Sequence, residues 1–366
     1  MSVVRRWALV LFFSSVLTSA GEAQQADARA GLLARWAEAL ELDLPASVVR
    51  EAPTRLAESA ELARDGDALA LYARALAQTG GRERAYALLR DARPSAATSA
   101  AVELALARLE LEDDRLTAVV RRLGAPDPEQ PLRFGERADA WVLLGKARQR
   151  LGDAAGAAPL LRHFVTTWRL HPDGPSAWHL LAQEALARRD VESARIYREQ
   201  GQSLASWHAF YKTRRIQVRE APRDPLPRFG LAQLWSSVNE LGRAREELEL
   251  VLELDAEFAR AWALLGELER KQGRTAAATA AFDRALELDA ELSDARYNRA
   301  LLAVERADDG AARPDLERLV AGAQATAPRY LGAHLALARL LERAGEQRAA
   351  QERYRRYVEL GGPEAW

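Results

Sequence analysis

The chain has 366 residues, 48% of them apolar and 29% charged, a balance that excludes a disordered polymer. A formal net charge of −1 offers no basic excess to argue for DNA or RNA, and the lack of cysteine removes disulfides, thiolate metal sites, covalent haem attachment and cysteine nucleophiles. Alanine, leucine and arginine outweigh β-branched and aromatic residues, so an all-α protein is expected, held by packing alone.

Residues 1–23 read as a secretory signal peptide. Arg5 and Arg6 precede the apolar stretch WALVLFFSSVLTSA, and small residues follow at Thr18 and Ala20 or at Gly21 and Ala23. The stretch falls short of the roughly 18 apolar residues of a spanning helix. The expectation is therefore cleavage, no membrane span afterwards, and a periplasmic or secreted protein. Residues 24–65 are expected to be helical without matching anything that follows. From residue 66 the chain repeats itself. LELDAE occurs at 252–257 and again at 286–291, a shift of 34, and WVLLG (141–145), WHLLA (178–182) and WALLG (262–266) each open a helical segment. Units fall at 66–99 (Gly80, Ala85, Leu89), 138–174 (Trp141, Gly145, Gly152, Ala157), 175–208 (Trp178, Ala194) and 225–258 (Trp235, Ala244, Leu248). They continue at 259–292, 293–330 and 331–366, the last with Ala338, Gly345, Ala350 and Tyr354, whereas 100–137 is degenerate.

Within 259–292 the packing logic is visible. Trp262, Leu265, Gly266 and Glu269 share one helical face, and Gly273 breaks the helix. Ala278, Phe282 and Ala285 then place an aromatic between two small residues on a second helix. These residues resemble the tetratricopeptide repeat, a 34-residue helix–turn–helix unit, with Ala290 where that family commonly has proline and Glu269 where it commonly has tyrosine. The resemblance implies a helical-hairpin repeat solenoid, a right-handed superhelix in which each unit buries its apolar face against the next. Trp141, Gly145, Trp178, Trp262, Gly266, Ala278 and Phe282 are its packing positions.

The count of units divides the solenoid into an N-terminal block at 66–208 and a C-terminal block at 225–366. Between them residues 209–224 form a 16-residue insertion. Trp207 to Tyr211 can continue the preceding helix, Lys212, Arg214, Arg215 and Arg219 make a local basic patch, and Pro222 and Pro225 stop it. This stretch reads as a joint between blocks. Further proline breaks fall at APDPEQP (125–131) and HPDGP (171–175), and Pro363 and Trp366 are expected to fold back as a terminal cap.

Enzyme motifs fail. GKARQRLG lacks the order of a phosphate-binding loop, GQSLA (201–205) is one residue short of a serine-hydrolase elbow, and HExxH and EF-hand spacings are missing. Four of the five histidines, His163, His171, His179 and His208, fall within 46 residues, beside Trp168, Trp178, Trp207, Phe210 and Tyr211. That grouping is the alternative reading, an enzyme or ligand-binding site in residues 163–224. Asp113–Asp114 and Asp308–Asp309 sit in expected turns and read as helix caps.

No catalytic residue, metal or cofactor is expected. The resemblance implies instead that the first helix of each unit presents its outward positions on a concave face that binds a protein or an extended peptide. In 259–292 these are Ala263, Glu267, Arg270 and Lys271, none of which can be core in this register. The matching positions elsewhere are Val142, Lys146, Gln149 and Arg150; His179 and Gln183; Phe229, Gln233 and Ser236. Phe229 is expected as an apolar anchor. The function implied is an exported, non-enzymatic scaffold, in a specific form a part of envelope assembly or polysaccharide export.

Overall fold

A computed structural model describes residues 26–92, 99–124, 132, 134, 136–322 and 326–363. The expected signal peptide, the 125–131 break and Trp366 lie outside them. Among the described residues the architecture is nine helical hairpins. In chain order these are α1 (26–41) with α2 (Pro45–Glu58), α3 (Gly66–Gln78) with α4 (Arg82–Asp91), and α5 (Ser99–Glu112) with α6 (Leu116–Leu123). Then come α7 (Ala138–Arg150) with α8 (Ala154–Thr167), and α9 (Gly174–Ala187) with α10 (Val191–Glu220). The last four are α11 (Pro225–Ser237) with α12 (Leu241–Leu254), α13 (Ala259–Lys271) with α14 (Thr275–Leu288), α15 (Ser293–Glu305) with α16 (Asp309–Ala321), and α17 (Leu331–Arg343) with α18 (Gln347–Glu359).

One device makes all nine of these turns. A residue just past the first helix takes left-handed φ: Asp43, Gly80, Asp114, Gly152, Arg189, Asn239, Gly273, Ala307 and Gly345, at +55° to +86°. The next N–H then donates to the carbonyl five residues back, as in Gly81 to Leu76, Asp190 to Ala185, and Arg274 to Glu269. This is a Schellman closure, which satisfies the carbonyls a helix end leaves bare. Successive left-handed residues lie 34 apart at Gly80 and Asp114 and at Asn239, Gly273 and Ala307. Between Arg189 and Asn239 the spacing is 50, sixteen more than 34. The insertion is therefore not a loop: α10 has 30 residues where α12 has 14 and absorbs the whole excess. It ends at Glu220, and the Asp224 side chain accepts from Leu226 N to start α11 with Pro225 in its first turn.

The chain divides into two compact units, Met1–Lys212 and Thr213–Trp366. In both, each second helix packs on the following first helix, and neighbouring first helices also touch, α3 on α5, α5 on α7, α7 on α9, and α11 on α13, α13 on α15. Close approach depends on small residues. A Cβ on Gly145 would meet Leu161 Cδ2 at 2.7 Å, and one on Gly266 would meet Phe282 Cε1 at 2.6 Å. Phe282 and Ala278 are fully buried, while Trp141, Trp178 and Trp262 are half-buried, the last donating its indole N–H to Ala256 O at 2.9 Å. Val142 and Ala263, expected outside the core, are buried, because the side-by-side first helices enclose that position. Glu269, where a tyrosine is usual, is buried and neutralised by Arg245 at 2.6 Å and by Arg274.

A residue with a Cβ held at left-handed φ costs about 1 kcal/mol, which glycine avoids while losing part of that gain to the unfolded chain. Ala307→Gly should thus stabilise the protein by about 0.5 kcal/mol, and Gly273→Ala should destabilise it by about 1 kcal/mol, read as shifts in the urea midpoint at constant slope. Phe282→Ala should cost about 3–5 kcal/mol.

Candidate protein-binding face

The layer of first helices is the surface on which side chains from successive hairpins converge. In the first unit it carries charge. Arg74 on α3, Arg108 on α5 and Lys146 on α7 occupy equivalent places on three successive first helices, 34 and 38 residues apart. Lys146 Nζ donates to Asp173 at 2.6 Å; Arg108 donates to Asp173 at 3.1 Å and to Asp139. Burial would raise the pKa of Asp173, but Arg108 and Lys146 reverse this and hold its carboxyl well below the usual carboxylate range. Burial likewise works against the charge of Arg108, and Asp139 and Asp173 outweigh it. For Arg74 the balance tips the other way: burial, then the nearby Arg108, push its pKa down despite attraction to Asp139, Asp173 and Glu41.

Two histidines close this cluster. His171, in the turn before α9, accepts the Asp173 backbone N–H on Nδ1 at 3.1 Å. His208 on α10 donates to the His171 backbone and leaves its Nε2 buried without a partner among the described residues. Burial lowers the pKa of both. One turn beyond His208, Lys212 pairs with Asp43 in the α1–α2 turn.

Ligand atoms of Asp139, His171 and Asp173 lie within 4.8 Å of one another, the spacing of a metal triad. The carboxylates already accept from Arg108 and Lys146, so the arrangement works as an ion-pair hub. His163 lies apart from it, 3.9 Å from the Trp141 ring, and His179 is exposed on α9, bonded to Gln183 at 2.9 Å. The histidines do not form one pocket.

The expected binding residues divide into engaged and open ones. Lys146 belongs to the hub. Arg150 donates to Asp114 at 2.6 Å and to Leu111 O at 2.7 Å, locking α7 to the α5–α6 turn. Gln149 is half-buried. In the second unit Arg270 reaches Glu305 at 2.6 Å, Lys271 pairs with Glu267 at 2.7 Å across one turn, and Gln233 is exposed. Phe229 is no exposed anchor. It is 7% exposed, edge-on to Phe258 with centroids 5.0 Å apart and with Arg260 over its ring, because its aromatic neighbour from the next hairpin's approach encloses it. Sequence reasoning missed Arg74, Arg108, Asp139 and Asp173. Aligning the degenerate unit 100–137 on its neighbours would have exposed the Arg74, Arg108, Lys146 column. Of the carboxylate pairs, Asp308 caps α16 by accepting from Ala311 N, while Asp113 accepts from Tyr86 Oη at 2.7 Å.

Acid should loosen this hub in two stages. The unfolded chain takes up protons at His171 and His208 near pH 6.5 that the folded chain does not, so stability falls as pH drops below that value. Asp173, depressed in the fold, contributes fully above its ordinary value near 3.8 and loses that contribution as pH falls further. The melting temperature should decline between about pH 6.5 and 5, and His208→Gln should flatten that decline. Asp173→Asn should cost on the order of 2 kcal/mol at pH 7, leaving two cations without their shared partner.

Residues 259–292 match the family model of the tetratricopeptide repeat. A search of the curated proteins found no match. Similar solved structures include YrrB, "a TPR protein with an unusual peptide-binding site", at 25% identity over 41% of this chain and 76% of that one, with a TM-score of 0.38. MamA is 17% identical over 49% of this chain and 94% of that one, with a TM-score of 0.36. A chain of the APC/C hetero-tetramer Cut9–Hcn1 is 17% identical over 86% of this chain and 55% of that one, with a TM-score of 0.36. The hairpin at 259–292 is a tetratricopeptide repeat, and the other described hairpins are closed by the same turn.

Proposed function

We propose that this protein is an exported, non-catalytic scaffold that binds a partner polypeptide on the first-helix layer of its second unit. A repeat surface of this kind suits protein–protein contact, since successive helices offer side chains at regular intervals along an extended chain. The observation that carries the choice of unit is the contrast in how the two layers use their polar groups. In the first unit Arg108 and Lys146 are engaged by Asp139 and Asp173. In the second, Gln233 stands exposed and Glu267 and Lys271 pair only within one turn, a contact that a partner can exchange at little cost.

Export rests on Arg5, Arg6 and the apolar segment after them, and an oxidising compartment makes no demand on a chain without cysteine. Service in envelope assembly or polysaccharide export is the specific form of this reading. The enzyme or ligand-binding alternative at 163–224 draws on the spacing of Asp139, His171 and Asp173; a rise in melting temperature on adding zinc or manganese would favour it.

Affinity capture with the tagged full chain, followed by the double variant Gln233→Ala, Lys271→Glu, tests the binding layer. Loss of the captured partner with an unchanged melting temperature is expected. Equal capture by both forms would exclude this layer. Fractionation with sequencing of the mature N-terminus tests export, and a protein that keeps residues 1–20 inside the cell would refute it.

A further inference from the structure

On α15, Arg299, Leu302, Ala303 and Arg306 are spaced three and four residues apart and so share one helical face. With α14 and α16 they enclose a cavity of about 280 Å³. Part of its lining is complete in itself: Arg299 donates to the two oxygens of the buried Asp315 at 2.7 and 2.8 Å and to Asp283 at 2.6 Å. Three lining groups keep bonding capacity. Arg306 is exposed and makes no ion pair among the described residues. Asp308, the N-cap of α16, gives one carboxylate oxygen to Ala311 N at 3.0 Å, and Asp283 gives one to Arg299. The second oxygen of each accepts nothing among the described residues, although a carboxylate can accept at both.

We propose that this cavity binds a small aliphatic amino acid as its zwitterion, the carboxylate on the Arg306 guanidinium and the ammonium on Asp283 and Asp308. Size and charge both select that class. The volume of about 280 Å³ falls just short of the roughly 300–1,000 Å³ of sites for drug-sized ligands, so the ligand is small. A simple anion would meet Arg306 but face the carboxylates of Asp283, Asp308 and Asp315, and a simple cation would face Arg299 and Arg306. A ligand with both charges gives each spare group a charge-assisted bond. Leu302 and Ala303, both buried, and Pro314 of α16 supply apolar surface for a short aliphatic side chain. Tyr297, Leu301 and Val304, which match Ala263, Glu267 and Arg270 of the first-helix layer at a shift of 34, lie on another face of α15, so the site adds small-molecule binding to the scaffold rather than sharing its surface.

Isothermal titration calorimetry on the full chain tests the site with L-valine, with N-acetyl-L-valine, which lacks the ammonium, and with L-valinamide, which lacks the carboxylate. Saturable binding of L-valine is expected, with either analogue about tenfold weaker. Arg306→Gln and Asp308→Asn should each weaken L-valine binding about tenfold at an unchanged melting temperature, since Arg306 has no ion pair to lose and asparagine still caps a helix. Absence of saturable L-valine binding overturns the site. Binding that both variants leave intact overturns its location, and an analogue that binds as tightly as L-valine overturns the pairing of both charges. None of these results alters the test of Gln233 and Lys271, neither of which lines the cavity.

Discussion

The structure depends on a constraint at the hairpin turn: the chain must reverse within a few residues while its last carbonyls find donors. Left-handed φ at one residue, followed by an N–H reaching five residues back, meets both needs at all nine described turns. With the turn fixed, the second helix starts at a set angle and height on the first. Gly266 can then receive Phe282, and Gly145 can receive Leu161. Length varies elsewhere, in the links between hairpins and in α10, where no such closure has to be preserved.

Stacked hairpins bury apolar surface between neighbours, but charge decides what their exposed layers can do. Most inter-hairpin ion pairs are local. Arg270 with Glu305, Arg343 with Asp309 and Arg313 with Glu346 each join groups about one repeat apart. In the second unit such pairs stitch adjacent hairpins and leave exposed polar groups for contact. The first unit instead collects charges from four hairpins around Asp173, so several residues that look like a binding surface one helix at a time are committed to each other.

Much of the fold was legible in the sequence because repetition carries it. The duplicated LELDAE and the Gly266, Ala278, Phe282 pattern fix the hairpin and its period, and glycine marks the turn at Gly80, Gly152, Gly273 and Gly345. In 26–65 and 100–137, which read as unmatched or degenerate, Asp43 and Asp114 take the left-handed place and no glycine marks the turn. The sixteen extra residues were countable, but their helical continuation was visible only as far as Tyr211. The face was less legible. Position on a helix says which way Phe229, Val142 or Lys146 points; it does not say that Phe258, a neighbouring first helix or Asp173 stands there.

The tie between Lys212 and Asp43 also bears on how the molecule assembles. Nearly all other long-range pairs among the described residues join groups within about two repeat lengths, so hairpins can condense one after another with little loop-closure entropy at each step. A contact across 169 residues can form only after every intervening hairpin is in place. It makes the first unit's completion a late, collective event, whereas the second unit can zip up by nearest neighbours alone.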